Sequence, residues 1–245
     1  MPASRLLWLA TAASLFAVPA IADEKIILLI NPNSNEDTTR SMTEIAATAT
    51  EGVATVEGRS NEGVPPLLTT PKDLQDAIPG VVKIGVEAAK DERVSAIIVA
   101  AFGDPGLEEL RAEVDLPVFG IREQAFHEAA KGGRPFGIAT TTPDPGLAEA
   151  FRQTAAALGY EDQFRGTRAT PGDPNELMAK SPDELDAALA EAVRASMADG
   201  AEAVIIGGGP LTASALRLQP QFDIPLIVPV IAAAQAAAAE VAGDN

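Results

Sequence analysis

Five short segments hold the groups in this sequence best placed to handle a small molecule. They are Asn31-Pro32-Asn33-Ser34, Ala101-Phe102-Gly103-Asp104, Gly120-Ile121-Arg122, Thr140-Thr141-Thr142 and Gly207-Gly208-Gly209-Pro210. Their shared chemistry is neutral hydrogen bonding. Asn33, Ser34, Thr140 and Thr141 bring side-chain donors, while the glycine-rich turns around Phe102 and Gly209 bring main-chain N–H groups at helix starts. Both suit a small carboxylate or ureido group. Taken singly, Asn, Thr and Gly behind a strand are ordinary turn and capping residues. Their recurrence behind several strands is what points to a ligand.

Groups able to move a proton are scarcer. The chain has one histidine, His127, and no cysteine. Thiol nucleophiles, disulfides and thiolate metal sites are therefore excluded, and only carboxylates would be left to build a metal site. No metal is expected. Nor is a nucleotide cofactor, because Gly207-Gly208-Gly209 lacks the wider GxGxxG spacing. Asp104, just before Pro105, reads as a helix cap. With Glu62 and His127 it is also one of the few candidates for a non-thiol acid or base. Arg122 and Arg168 are candidates to meet an anion or to pair with surface carboxylates. The formal charge of −17, from 18 Lys and Arg against 35 Asp and Glu, argues against nucleic acid or an anionic membrane as the main partner.

The elements that must position these segments follow an α/β rhythm. Apolar runs at Lys25 to Ile30, Val94 to Ala101, Arg134 to Thr140 and Ala201 to Ile206 suit strands buried on both faces, with shorter runs at Pro117 to Ile121 and Pro225 to Val230. Between them, Asp104-Pro105, Asp144-Pro145 and the box Ser181-Pro182-Asp183-Glu184 announce helices. The chain also repeats itself. Ala96 to Ala101 aligns with Ala203 to Gly208 at an offset of 107 residues, Asp115 to Val118 with Asp223 to Leu226 at 108, and Lys25 to Leu28 loosely with Arg134 to Gly137 at 109. The expected fold is therefore two pseudo-symmetric α/β lobes, each with a mainly parallel sheet flanked by helices and with a cleft between them. The expected boundaries are 23–131 for the first lobe, 132–229 for the second, and 230–245 for a C-terminal helix returning to the first.

Residues 1–22 read as a signal peptide. Arg5 supplies the charge, Leu6 to Val18 the apolar stretch, and Ala20-Ile21-Ala22 the small residues of a cut before Asp23. A soluble periplasmic or secreted protein is expected, without stable membrane insertion after cleavage.

The strand-end segments resemble those of the aspartate/glutamate/hydantoin racemase family, closest to its hydantoin and allantoin racemase branch. Asn31 to Asn35 resembles the family's NPN(S/T) loop, Ala101 to Leu107 its CF(G/S)DPGL motif, and Pro117 to Ile121 its PV(I/V)GI segment. Thr140-Thr141 resembles its paired threonines, and Gly200 to Gly207 its second catalytic strand. The resemblance implies a cofactor-independent isomerase with two opposed catalytic cysteines, one per lobe. At those two positions this chain has Ala101 and Gly208, which neither accept nor donate a proton. Two readings follow. One is an exported protein binding a small carboxylate, amino acid or hydantoin-like compound through Asn33, Ser34, Phe102, Thr140, Thr141 and Gly209. The other is an active racemase or isomerase using a non-cysteine acid or base. Either leaves room for a homo-oligomer.

Overall fold

The structure is a computed structural model and describes residues 25–243. The expected signal peptide and its cleavage site lie outside the described residues. Strand β1 (Ile26–Asn31) is buried along its whole length, as its unbroken apolar sequence requires. It is flanked by β2 (Thr55–Ser60) and β3 (Val94–Val99), and β4 (Val118–Gly120) extends the sheet beyond β3, giving the order β2-β1-β3-β4. The second sheet repeats that order with β5 (Phe136–Thr140), β6 (Phe164–Ala169), β7 (Ala203–Ile206) and β8 (Leu226–Ile227), as β6-β5-β7-β8. Every pairing is parallel. The repeated blocks of sequence fall on equivalent strands: β3 and β7, β4 and β8, β1 and β5.

Edge strands β2 and β6 carry no long apolar run, because much of each faces solvent. Their sequences, Thr-Val-Glu-Gly-Arg-Ser and Phe-Arg-Gly-Thr-Arg-Ala, escape a search for buried strands.

Nine α-helices lie among the described residues: α1 (Glu36–Ala49), α2 (Pro71–Ala88), α3 (Leu107–Glu113), α4 (Ile121–Ala129), α5 (Pro145–Ala157), α6 (Pro174–Met178), α7 (Pro182–Ala198), α8 (Thr212–Leu218) and α9 (Pro229–Gly243). Asp144 caps α5 by accepting from Leu147 N–H at 2.9 Å, and Ser181 and Glu184 form the capping box of α7. Asp104-Pro105 does not start a helix: α3 begins at Leu107 behind Gly106, whose φ is 80°. The Asp104 carboxylate turns away to a different helix.

Two helices cross between the lobes. The buried face of α4, with Ala125, Phe126 and Ala129, joins the core of the second sheet around Phe136, Ile138 and Ile205. Conversely, Val230, Ala233, Ala234, Ala237 and Val241 of α9 complete the core of the first sheet with Ile27, Leu29 and Ile98. Small alanine side chains let α9 lie close to both its sheet and α4. Each lobe is thus closed by a helix from the other half of the chain.

Candidate functional site

The C-terminal ends of β1, β3, β5 and β7 meet between the lobes around a cavity of about 70 Å³. Its lining includes Asn33, Ala101, Phe102, Thr140, Thr141, Gly208 and Gly209. Of the expected ligand-binding residues, Ser34 is the exception: it is not among the lining residues, and its N–H reaches the Pro65 carbonyl at 3.4 Å. At this volume the cavity suits a compact ligand; drug-sized sites run to about 300 Å³ and above.

The polar residues divide by whether their hydrogen bonds are already spent. Thr140 Oγ1 donates to the Gly207 carbonyl at 2.8 Å and accepts from Thr142 N–H at 3.3 Å, so this hydroxyl ties β5 to the turn after β7. Thr140 therefore shapes the site, where the sequence offers it as a donor to ligand. The Thr141 hydroxyl has no partner among the described residues. Asn33 Oδ1 accepts from Asn31 Nδ2 at 2.8 Å and Asn35 N–H at 2.9 Å, leaving its NH₂ for the cavity. The N–H groups of Phe102 and Gly209 make no main-chain hydrogen bond among the described residues.

Phe102 does more than lend its N–H. Its ring packs edge-on against Phe151 of α5 at 5.2 Å between centroids, and it joins the core of the second sheet. The glycines opposite are small for that reason. A Cβ at Gly207 would lie 2.8 Å from the Phe102 ring, and one at Gly209 would lie 3.0 Å from the Ala100 carbonyl oxygen. Close approach of the first lobe accounts for Gly207 and Gly209, which face Phe102, and Met42 with the Ala100 carbonyl, respectively. Gly208 has φ near 158°, and Leu211 fills the space a side chain there would take, at 3.2 Å from the Cβ position.

The remaining wall is apolar: Leu67, Leu68 and Leu74 from the first lobe, Leu147, Phe151 and Met178 from the second. Sequence reasoning missed these residues because they come from helices and a loop rather than strand ends. No lining residue is Asp, Glu, His, Lys, Arg or Tyr. His127 instead pairs its Nδ1 with Tyr160 Oη at 2.8 Å, and exposed Glu62 lines a separate surface hollow beside Arg40 and Arg59. Arg168 is engaged by Asp199 in two bonds of 2.6 Å, and Arg122 by Asp104 at 3.5 Å, so neither reaches the cavity as expected of an anion ligand. No cluster of three metal-ligating side chains occurs among the described residues.

Asp104 caps α4 across the chain. Its two carboxylate oxygens accept from Arg122 N–H and Glu123 N–H, both at 2.9 Å, and the carboxyl sits where a side chain at Gly120 would be. Burial pushes its pKa up to about 6 against the opposing pull of Arg122 and the two N–H groups. Its backbone adopts φ 48°, the one positive value outside glycine among the described residues. It anchors the turn Ala101 to Gly103 from behind the cavity wall.

The likeness to known proteins runs along nearly the whole described chain. It is 26% identical over 206 residues to the hydantoin racemase of Pseudomonas sp. (strain NS671), covering 84% of this chain and 82% of that protein. It is 28% identical over 232 residues to the hydantoin racemase of Paenarthrobacter aurescens, covering 88% and 91%. The fold matches allantoin racemase from Klebsiella pneumoniae with a TM-score of 0.81 at 24% identity, over 90% of this chain and 89% of the other. The family profile described as Asp/Glu/Hydantoin racemase matches residues 27–237, and the chain belongs to that family.

Proposed function

We propose that this protein binds a small carbonyl- or carboxylate-bearing compound of hydantoin or amino-acid type in the interlobe cavity, without racemising it by the family's two-thiol route. The observation that carries this reading is a cavity with hydrogen-bond donors and an apolar wall but no titratable side chain. Racemisation by the two-thiol route requires a base on one face of the α-carbon and an acid on the other. Removing one positioned acid or base typically costs about 10²–10⁴ in rate, and here Ala101 and Gly208 stand at both positions. The unpaired Asn33 NH₂, the Thr141 hydroxyl and the Phe102 and Gly209 N–H groups supply donors for the polar head of the ligand. Leu67, Leu68, Leu147 and Phe151 receive its apolar substituent. Export through residues 1–22 forms part of the same reading: two opposed thiols would be prone to oxidation outside the cytoplasm, whereas Ala and Gly are inert there.

Family membership favours a second reading, a racemase or isomerase with a non-cysteine base. One experiment separates the two. The chain from residue 23 to 245 is incubated in D₂O with amino acids, 5-substituted hydantoins and small dicarboxylates, and α-proton signals and ligand line widths are followed by NMR. The expected result is line broadening without proton exchange. Loss of an α-proton above the buffer rate would establish the second reading and direct mutagenesis to Asp104, Glu62 and His127.

A further inference from the structure

Asn31 is fully buried at the end of β1. Its Nδ2 lies 2.8 Å from Asn33 Oδ1, 2.9 Å from Thr39 Oγ1 and 3.2 Å from the Asn35 carbonyl, its two protons serving three acceptors through one shared bond, while its Oδ1 accepts from Asn33 N–H at 3.2 Å. Asn35 N–H also donates to Asn33 Oδ1, at 2.9 Å. Two main-chain groups set the polarity of this network. An N–H can only donate, so the Asn33 atom facing Asn35 N–H is oxygen; a carbonyl can only accept, so the Asn31 atom facing the Asn35 carbonyl is nitrogen. Turning the Asn33 carboxamide over would bring its NH₂ against two other donors. Its nitrogen, without a partner among the described residues, is therefore directed away from the network, on a residue that lines the cavity.

We propose that Asn31 is a positioning residue that holds the Asn33 carboxamide with its NH₂ toward the cavity, so that a ligand must present an acceptor there, a carboxylate or ring-carbonyl oxygen. The inference rests on the proposed reading of the cavity as a ligand site and adds a direction to it. A ligand with an N–H at this point would set donor against donor in a dry pocket and leave both unsatisfied.

The orientation is testable without ligand. In ¹⁵N-labelled protein, the side-chain NH₂ protons of Asn31 should exchange with solvent at least tenfold more slowly than those of Asn33; equal protection of the two overturns the inference. 5-Methylhydantoin and propionate serve as compact probes able to present a carbonyl or carboxylate oxygen, and binding should shift the Asn33 NH₂ resonances. Asn33→Asp keeps the oxygen that Asn31 and Asn35 require but puts a second oxygen in place of the NH₂. It should retain the fold and bind both probes at least tenfold more weakly; unchanged affinity overturns the inference. Asn31→Asp replaces the donor by an acceptor. In that variant the Asn33 carboxamide loses its Asn31 donor while Asn35 N–H still holds its oxygen, so the exchange of its NH₂ should depart from wild type at neutral pH and return toward it as the new carboxyl is protonated. A pH-independent Asn33 signal there denies Asn31 its positioning role. If the exchange contrast holds and neither probe binds, the proposed ligand class fails while the orientation stands.

Discussion

Asp104 shows how burial and hydrogen bonding compete at one carboxyl. Two N–H donors and Arg122 favour the charged form, but burial outweighs them and lifts the pKa from 3.8 to about 6. Because the folded value lies above the unfolded one, protonation favours the fold. The stabilisation from this group is complete below about pH 4 and is lost as pH rises through about 6, a swing of about 3 kcal/mol. Urea denaturation of wild type and Asp104→Asn between pH 4 and 7 should show their stability difference moving in that direction; a constant difference would refute the shifted pKa. Ala101 and Gly208, the two positions that the proposed reading aligns with the family's cysteines, also differ physically. Ala101 already carries a Cβ, whereas Gly208 has a φ that L residues rarely adopt and a neighbour, Leu211, 3.2 Å from where a Cβ would sit. Ala101→Cys should fold as the wild type does, and Gly208→Cys should lose about 1–3 kcal/mol, measurable as a lowered denaturation midpoint. Only the double variant is expected to restore two-sided proton exchange in D₂O.

At the scale of elements, the caps were readable where they are local and unreadable where they are not. Asp144 stands three residues before the N–H it accepts from, and the sequence announces it; Asp144→Ala should cost about 1 kcal/mol and loosen the helix that carries Leu147 and Phe151 into the cavity wall. Asp104 reaches 18 residues along the chain to Arg122 N–H, so its local sequence points to the wrong helix. Gly120 completes that cap by leaving room: a Cβ there would lie 2.4 Å from the Asp104 Cγ. Gly120→Ala is expected to destabilise by about 2 kcal/mol or more through overpacking, with a larger loss of hydrogen-exchange protection at the start of α4 than in α7. Equal losses in both helices would argue against a local cap.

For the whole molecule, the exchange of α4 and α9 joins the folding of the two lobes. The first sheet lacks part of one face of its core without α9, and the second lacks part of its core without α4. Phe102 adds a third link by seating its ring in the second-lobe core. Residues 23–131 made alone should therefore show no cooperative unfolding transition by circular dichroism, because the face that α9 covers would be open to water. A sharp transition in that fragment would show that the lobes are independent.

The sequence by itself determined the parallel two-lobed plan. Buried strands need unbroken apolar runs, helix caps need particular residues at fixed local spacing, and a duplicated fold leaves a constant offset between its halves. It also determined the absence of thiols, since zero cysteine is a matter of composition. The tertiary structure alone decided which strand-end groups remain available. Asn33 and Thr140 look alike as donors on paper, yet one keeps its NH₂ free while the other spends its hydroxyl on Gly207. It alone decided that Asp104, Glu62, His127 and Arg168 stay out of the cavity and that Leu67, Phe151 and Met178 line it. These outcomes depend on contacts between residues far apart in the chain, and the local preferences legible in a sequence do not encode such contacts.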